Sequence, residues 1–134
     1  TAHTLLLVLV RLTGAAMLCA LIFVFVPYGW LAEIHSMIGM GPLEYSVLTS
    51  YLARTLSALY AILGGLLLAM SMDVQRYRPV LILFGWIAAV GGVAVTVFDA
   101  VLELPLFWTV LEGPATALMG VLVVVLTRRA TSSA

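Results

Sequence analysis

The chain has 134 residues, of which 64% are hydrophobic and only 9% charged, and its formal net charge is zero. A soluble domain of this size would have to expose most of that apolar surface, so the composition excludes one and indicates an integral membrane protein. The balanced charge provides no basic patch for nucleic acid, which excludes that class of partner.

The first predicted helix covers about residues 4–26 and ends before Pro27. Its length suits a membrane span better than a signal peptide. Arg11 lies well inside this helix, where its long side chain either snorkels to the near interface or meets a buried partner. Arg11 is therefore a candidate second polar site.

The connection of residues 27–45 is too polar to span a bilayer and too apolar to be a free loop. Within about residues 29–38, apolar side chains including Trp30 form one helical face, and Glu33 and His35 lie on another. This pattern is typical of a short helix in the membrane interface. We expect it on the outward side.

The second predicted helix covers about residues 46–72. Small and polar residues share one of its faces, and leucines occupy the opposite one. Because lipid provides no hydrophobic drive between helices, the small-residue face is expected to pack against protein, with Gly64 and Gly65 as helix-packing residues. Arg54 lies about two turns inside this span, and a charge at that depth needs a partner.

The third predicted helix covers about residues 79–102. Gly85, Ala89 and Gly92 are predicted to pack against a neighbouring helix, again because they are small. Asp99 lies near the end of the same helix.

The fourth predicted helix covers about residues 106–126 and contains Glu112, Pro114 and Gly120. A helix that began at Pro114 would be too short to span, so we expect it to begin near residue 106 and to be kinked at the proline. Gly120 is a further predicted packing residue. The tail, residues 130–134, is predicted to be disordered.

The arginines predict the orientation. The connections after the first and third helices contain glutamates and no arginine, whereas the turn after the second helix and the tail contain Arg76, Arg78, Arg128 and Arg129. By the positive-inside rule both termini are cytoplasmic, which four helices permit. We therefore predict a single transmembrane domain, residues 1–134: an all-α integral membrane four-helix bundle with a short interfacial helix between helices 1 and 2.

Three charged residues are predicted to form an intramembrane polar centre. Counted from the outer helix ends at about 1.5 Å per residue, Arg54 lies about 12 Å deep, Glu112 about 9 Å and Asp99 about 5 Å. We predict an ion pair between Arg54 and Glu112, with Asp99 above it. Such a centre is either a proton, ion or small-molecule site or an internal clasp that fixes helix register, and the clasp is the favoured hypothesis.

Several chemistries find no support in the sequence. We predict no catalytic residue. A four-helix haem protein needs histidines within its helices, and His3 and His35 lie at or outside the interface. We also predict no metal site, because a zinc site at Glu33 and His35 would need further ligands. The single cysteine, Cys19, excludes an intrachain disulfide and a CxxC redox site. No cofactor is predicted, and a bound lipid, quinone or pigment is left open.

The chain also resembles small uncharacterised bacterial four-helix membrane proteins and, distantly, the DoxX-like group. The resemblance is carried by Arg11, Gly14, Gly39-Met40-Gly41-Pro42, Tyr51-Leu52-Ala53-Arg54, Ser57-Ala58-Leu59-Tyr60, Gly64 and Arg76-Tyr77-Arg78-Pro79. It implies a four-helix bundle in a bacterial inner membrane and transfers no catalytic residue.

The leading functional hypothesis is an accessory or structural subunit that docks against a larger membrane complex or its own copies through small-residue helix faces. The alternative is a small proton-coupled transporter or carrier that uses Arg54, Glu112 and Asp99. A third class, a quinone or lipid enzyme, has only the kinked, polar fourth helix in its favour.

Overall fold

The computed structural model describes the backbone of residues 1–132 and the side chains of residues 1–130, and this part of the chain is all-helical. The helices in chain order are α1 (Ala2–Leu18), a 3₁₀ turn (Cys19–Leu21), α2 (Ile22–Phe25), α3 (Tyr28–Met37), α4 (Val47–Met70), α5 (Arg78–Val101) and α6 (Leu106–Ser132).

Within the described residues, four helices are long and apolar enough to cross a membrane. They are the first span, Ala2–Phe25, which runs from α1 through the 3₁₀ turn to α2, then Val47–Met70, Arg78–Val101 and Leu106–Ala130. The prediction of an all-α chain with four candidate membrane helices is therefore confirmed.

The last helix differs from the predicted one at its C-terminal end. It begins at Leu106 and continues through Pro114 to Ser132, so the prediction of disorder from Ala130 was wrong for residues 130–132. Residues 133 and 134 lie outside the described part. The sequence after residue 126 has no glycine or proline to stop the helix, and arginines in a last turn favour helix by opposing the helix dipole. The kink at Pro114 stays a prediction.

Local signals fix several helix ends. The hydroxyl of Ser46 accepts a hydrogen bond from the amide of Thr49 at 2.9 Å, which makes Ser46 the N-cap of α4. Pro79 lies in the first turn of α5, where its missing N–H is not needed.

Both α3 and α5 end in a Schellman motif, in which a residue with positive φ reverses the chain. After α3 this residue is Gly39, with φ of 84°, and the following amide donates to the carbonyl of His35 at 3.1 Å. After α5 it is Glu103, with φ of 54°, and the following amide donates to the carbonyl of Asp99 at 3.0 Å. A left-handed glutamate is uncommon because its Cβ crowds the backbone.

The chain divides into two compact units. The first unit is Arg11–Ala69, and the second unit is Thr1–Val10 together with Met70–Ala134. In the first unit, α4 buries Ala61, Gly64 and Leu67, while the leucines of its opposite face are exposed. The exposed leucines follow the predicted pattern, whereas the small-residue side is packed only in part, since Ala61 is buried and Ala69 is exposed.

In the second unit, α5 and α6 pack along their length. The buried residues of α5 are Leu81, Gly85, Ala89, Gly92 and Asp99. Those of α6 are Gly113, Gly120, Val123, Val124, Thr127 and Ala130.

Candidate functional site

Arg54 holds the end of the first span. Its Nη1 donates to the carbonyl of Val24, and its Nη2 donates to the carbonyl of Val26 at 3.2 Å. Carbonyls in the last turn of a helix have no intrahelical N–H partner, and Pro27 supplies no N–H to the helix that it follows. The half-buried guanidinium therefore caps the C-terminal end of α2 from the neighbouring α4.

The guanidinium of Arg54 therefore has hydrogen-bond partners within its own unit. The carboxylates of the first unit, Glu33 and Glu44, are exposed, and both hydrogen bonds of Arg54 go to main-chain carbonyls. Hydrogen bonds from a charged donor are worth about 1.5–3 kcal/mol each. The predicted ion pair with Glu112 joins residues of different units and stays a prediction.

A second contact joins the first span to α4, at Gly14 of α1. A Cβ built on Gly64 would lie 2.5 Å from the carbonyl oxygen of Gly14 and 2.5 Å from the amide nitrogen of Leu18. No side chain fits at such a distance, so the two backbones approach through glycine. The adjacent Gly65 has open space instead, since a Cβ built there meets no described heavy atom within 4 Å.

Four glycines bring α5 and α6 together in the second unit. A Cβ on Gly85 would lie 2.8 Å from the carbonyl oxygen of Gly120, and a Cβ on Gly92 would lie 2.6 Å from that of Gly113. Ala89 is also buried and contacts the position of Gly120. The sequence pattern had indicated every one of these except Gly113, whose seven-residue separation from Gly120 matches that of Gly85 and Gly92.

Asp99 occupies the next position in this spacing, seven residues after Gly92. Only 5% of its surface is exposed, and among the described residues its Oδ2 atom has no hydrogen-bond partner. A buried polar atom without a partner costs about 1–3 kcal/mol. Of the three residues predicted to form the polar centre, Asp99 is thus the one with a buried, unsatisfied oxygen.

Glu112 is half-buried on α6. Its main-chain carbonyl accepts a hydrogen bond from the hydroxyl of Thr116 at 2.7 Å. On α5 the hydroxyl of Thr96 donates to the carbonyl of Gly92 at 2.8 Å, and the same hydroxyl lies against Gly113. Each threonine hydroxyl is thus hydrogen-bonded within its own helix and needs no partner on the other helix.

Side chains at the start of the connection that contains α3 contact residues near its end. The hydroxyl of Tyr28 donates to the carbonyl of Glu44 at 3.0 Å, and the rings of Tyr28 and Tyr45 meet edge to face with centroids 5.0 Å apart. The Nδ1 atom of His35 lies 2.9 Å from the carbonyl oxygen of Gly41. His35 therefore fixes the turn after the helix.

The surface of α3 has three sides. One is half-buried (Tyr28, Leu31, Ala32 and His35), one is apolar and exposed (Trp30, Ile34, Met37 and Ile38), and one is polar and exposed (Glu33 and Ser36). Trp30, the largest residue of the apolar side, is 62% exposed. Of the residues predicted for this helix, Trp30 and Glu33 are exposed, and His35 is on the half-buried side.

Two other residues of interest lie on the surface of the first unit. Arg11, the candidate second polar site, is exposed, and so is the free thiol of Cys19. Among the described residues, no group of three or more His, Cys, Asp and Glu side chains could hold a metal ion.

Comparison of the chain with protein-family models, with curated proteins and with solved structures finds no match.

Proposed function

We propose that the protein is an accessory or structural subunit of a larger membrane complex, which it joins through helix faces rich in small residues. The observation that carries this proposal is on α4. Gly65 has open space around it, and Ala69, one turn further along, is exposed. Two small residues four positions apart form the pattern through which membrane helices approach one another closely.

The hydrogen bonds of Arg54 also favour a structural role. Its guanidinium joins α4 to the end of the first span through two main-chain carbonyls. A cation that fixes the register of two helices keeps the same hydrogen-bond partners. A transport site, by contrast, must change its partners as the protein changes conformation during each cycle.

The proposed placement is the bacterial inner membrane, with both termini in the cytoplasm and α3 at the outer interface. The arginines of the α4–α5 turn and of the tail support this orientation. The exposed apolar side of α3 lies beside its exposed polar side, as suits a helix between lipid and water. The resemblance to small bacterial four-helix membrane proteins supports the same compartment.

The substitution Gly65→Ile tests the docking face. Because the space at Gly65 is open, the variant should fold, while the branched side chain blocks the close approach of a partner helix. We expect co-isolation of the partner subunits to fall about tenfold, equivalent to about 1.4 kcal/mol. The measurement is native mass spectrometry of the protein purified from its own membranes in mild detergent.

Leu66→Ile is the matched control, since Leu66 is already large and is 53% exposed. It should leave the assembly intact. A wild-type protein that is isolated only as a monomer contradicts the proposal, and so does a Gly65→Ile variant that retains all of its partners.

The alternative is a small proton-coupled carrier that uses Arg54, Glu112 and Asp99. One observation favours it: Asp99 is buried, and its Oδ2 atom has no hydrogen-bond partner in the part of the chain that the structure describes. Intramembrane ionisable residues often mark proton or ion pathways. In this case Glu112→Gln and Asp99→Asn should each abolish proton-coupled flux in liposomes. Glu44→Gln, at an exposed position outside the helices, should not. Equal flux in all three variants contradicts the carrier.

A further inference from the structure

An apolar groove runs along the first unit between the two points that hold the first span to α4. One point is the contact of Gly14 with Gly64, and the other is the bond from Arg54 to Val24. Ten residues separate the two points on either helix, which is about 15 Å at the helical rise of about 1.5 Å per residue. The two backbones are in close contact at the first point, and the side chain of Arg54 bridges the two helices at the second.

The groove between these points has a volume of about 370 Å³ and is lined by Leu18, Leu21, Val24, Ala58, Ala61 and Ile62. Every lining side chain is aliphatic. On one side the first span changes from α-helix to a 3₁₀ turn at Cys19–Leu21, and on the other side α4 contributes two alanines. Small side chains on α4 leave the space that larger ones would fill.

A cation lies at one end of this apolar groove. Arg54 precedes Ala58 by one helical turn, and Val24 both lines the groove and accepts a hydrogen bond from Arg54. A guanidinium has five N–H donors, and the first unit accepts hydrogen bonds from two of its nitrogens. Within residues 11–69 the groups that Arg54 bonds are main-chain carbonyls, and the two carboxylates, Glu33 and Glu44, are exposed.

We propose that this groove holds one acyl chain of an anionic phospholipid whose phosphate lies against Arg54. The apolar lining matches the chain, and the remaining N–H donors match phosphate oxygens, which arginine binds through two parallel hydrogen bonds. The lipid supplies the negative charge that a cation inside a membrane span requires. Gly65 is not one of the residues that line this groove, and the proposal does not depend on the proposed docking function.

The test uses the full-length chain in mild detergent, titrated with phosphatidylglycerol or with phosphatidylcholine. Native mass spectrometry then counts the lipids bound per chain. We expect one phosphatidylglycerol to be retained, with about tenfold preference over phosphatidylcholine, because the choline group offsets the phosphate charge. Equal retention of the two lipids overturns the proposal whatever the variants show.

Ala58→Phe fills the groove and leaves Arg54 in place. It should lower the retention of phosphatidylglycerol about tenfold, which corresponds to about 1.4 kcal/mol. Leu59→Phe is the control, because Leu59 lies outside the groove and is 52% exposed, and it should bind lipid as the wild type does. Wild-type retention by an Ala58→Phe variant also overturns the proposal, and thermal unfolding verifies that both variants are folded.

Discussion

Gly64 and Gly65 are neighbours in sequence with different surroundings. A Cβ on Gly64 would clash with the backbone of the first span, whereas a Cβ on Gly65 would meet open space. The sequence predicted packing for both, since both are small and both lie near the small-residue face. Neighbouring helix positions differ by about 100° in direction, so only one of the pair can face the first span.

We predict that Gly64→Ala lowers the stability of the first unit by about 1–3 kcal/mol, the usual cost of overpacking. Gly65→Ala should be neutral or stabilising by up to about 1 kcal/mol, since alanine is the better helix former. Thermal unfolding in detergent, followed by circular dichroism, measures both. Equal midpoints for the two variants would contradict the glycine contact between Gly14 and Gly64.

Arg54 bonds partners that the sequence did not predict. A charge two turns inside a span must find a partner, and the sequence therefore predicted one. The partners found within the first unit are the carbonyls of Val24 and Val26. Every residue has a main-chain carbonyl, so a sequence does not indicate which carbonyl an arginine bonds, and the sequence pattern predicted the side chain of Glu112 as the partner.

We predict that Arg54→Met destabilises the protein by about 1.5–3 kcal/mol for each charged hydrogen bond lost. The methionine side chain keeps much of the apolar contact but leaves the carbonyls at the end of α2 without donors. Arg76→Met is the control: Arg76 is exposed in the α4–α5 turn, and a surface change of this kind is worth about 0.5 kcal/mol or less. Chemical unfolding in mixed detergent compares the two, and similar losses would mean that Arg54 has no special bonding role.

At the scale of elements, the end of α5 contains a backbone conformation that its residue does not favour. Glu103 has a φ of 54°, and the turn is stabilised by the amide that follows it. Glycine adopts this conformation without the crowding that a Cβ causes, which explains its frequency at this position of the Schellman motif.

Glu103→Gly should therefore stabilise the α5 end by about 1 kcal/mol, the approximate cost of a left-handed non-glycine residue. Glu103→Ala removes the same carboxylate but keeps the Cβ, so it should give no such gain. Thermal unfolding distinguishes them. If alanine stabilises as much as glycine, the carboxylate and not the backbone is the source of the cost.

The contact between α5 and α6 depends on an element-scale repeat. Gly85 and Gly92 meet Gly120 and Gly113 respectively, and each pair is seven residues apart. A seven-residue repeat keeps one seam facing a partner when two helices cross at a shallow angle. The sequence predicted packing at three of these glycines. It did not predict Gly113, which precedes Pro114 at the position where a kink is expected.

For the whole molecule, the arginines predict an orientation. By the positive-inside rule, we propose that the α4–α5 turn lies in the cytoplasm and α3 outside. In a Cys19→Ala background, Glu33→Cys should react with a membrane-impermeant thiol reagent added to intact cells. Gln75→Cys should react only after the membrane is opened.

Both positions are exposed, so exposure alone does not separate them. The measurement is the labelled fraction before and after permeabilisation. Labelling of Gln75→Cys in intact cells, with protection of Glu33→Cys, would reverse the proposed topology.

The sequence by itself determined the class of protein, the four candidate membrane helices and most of their ends. These properties are local: hydropathy accumulates over about 20 residues of one segment, and caps and prolines act within a turn of themselves. The end of α6 was the exception, since no residue there marks a stop.

Only the tertiary structure decided which residues meet. It placed Gly64 rather than Gly65 against the first span, paired Gly92 with Gly113, and gave Arg54 the carbonyls of Val24 and Val26 as partners. It also buried Asp99, whose Oδ2 atom has no partner among the described residues. Each of these depends on the direction and register of a second helix. A periodic pattern limits that direction to about one side of a helix, and the choice of a single residue on that side requires the neighbouring backbone itself.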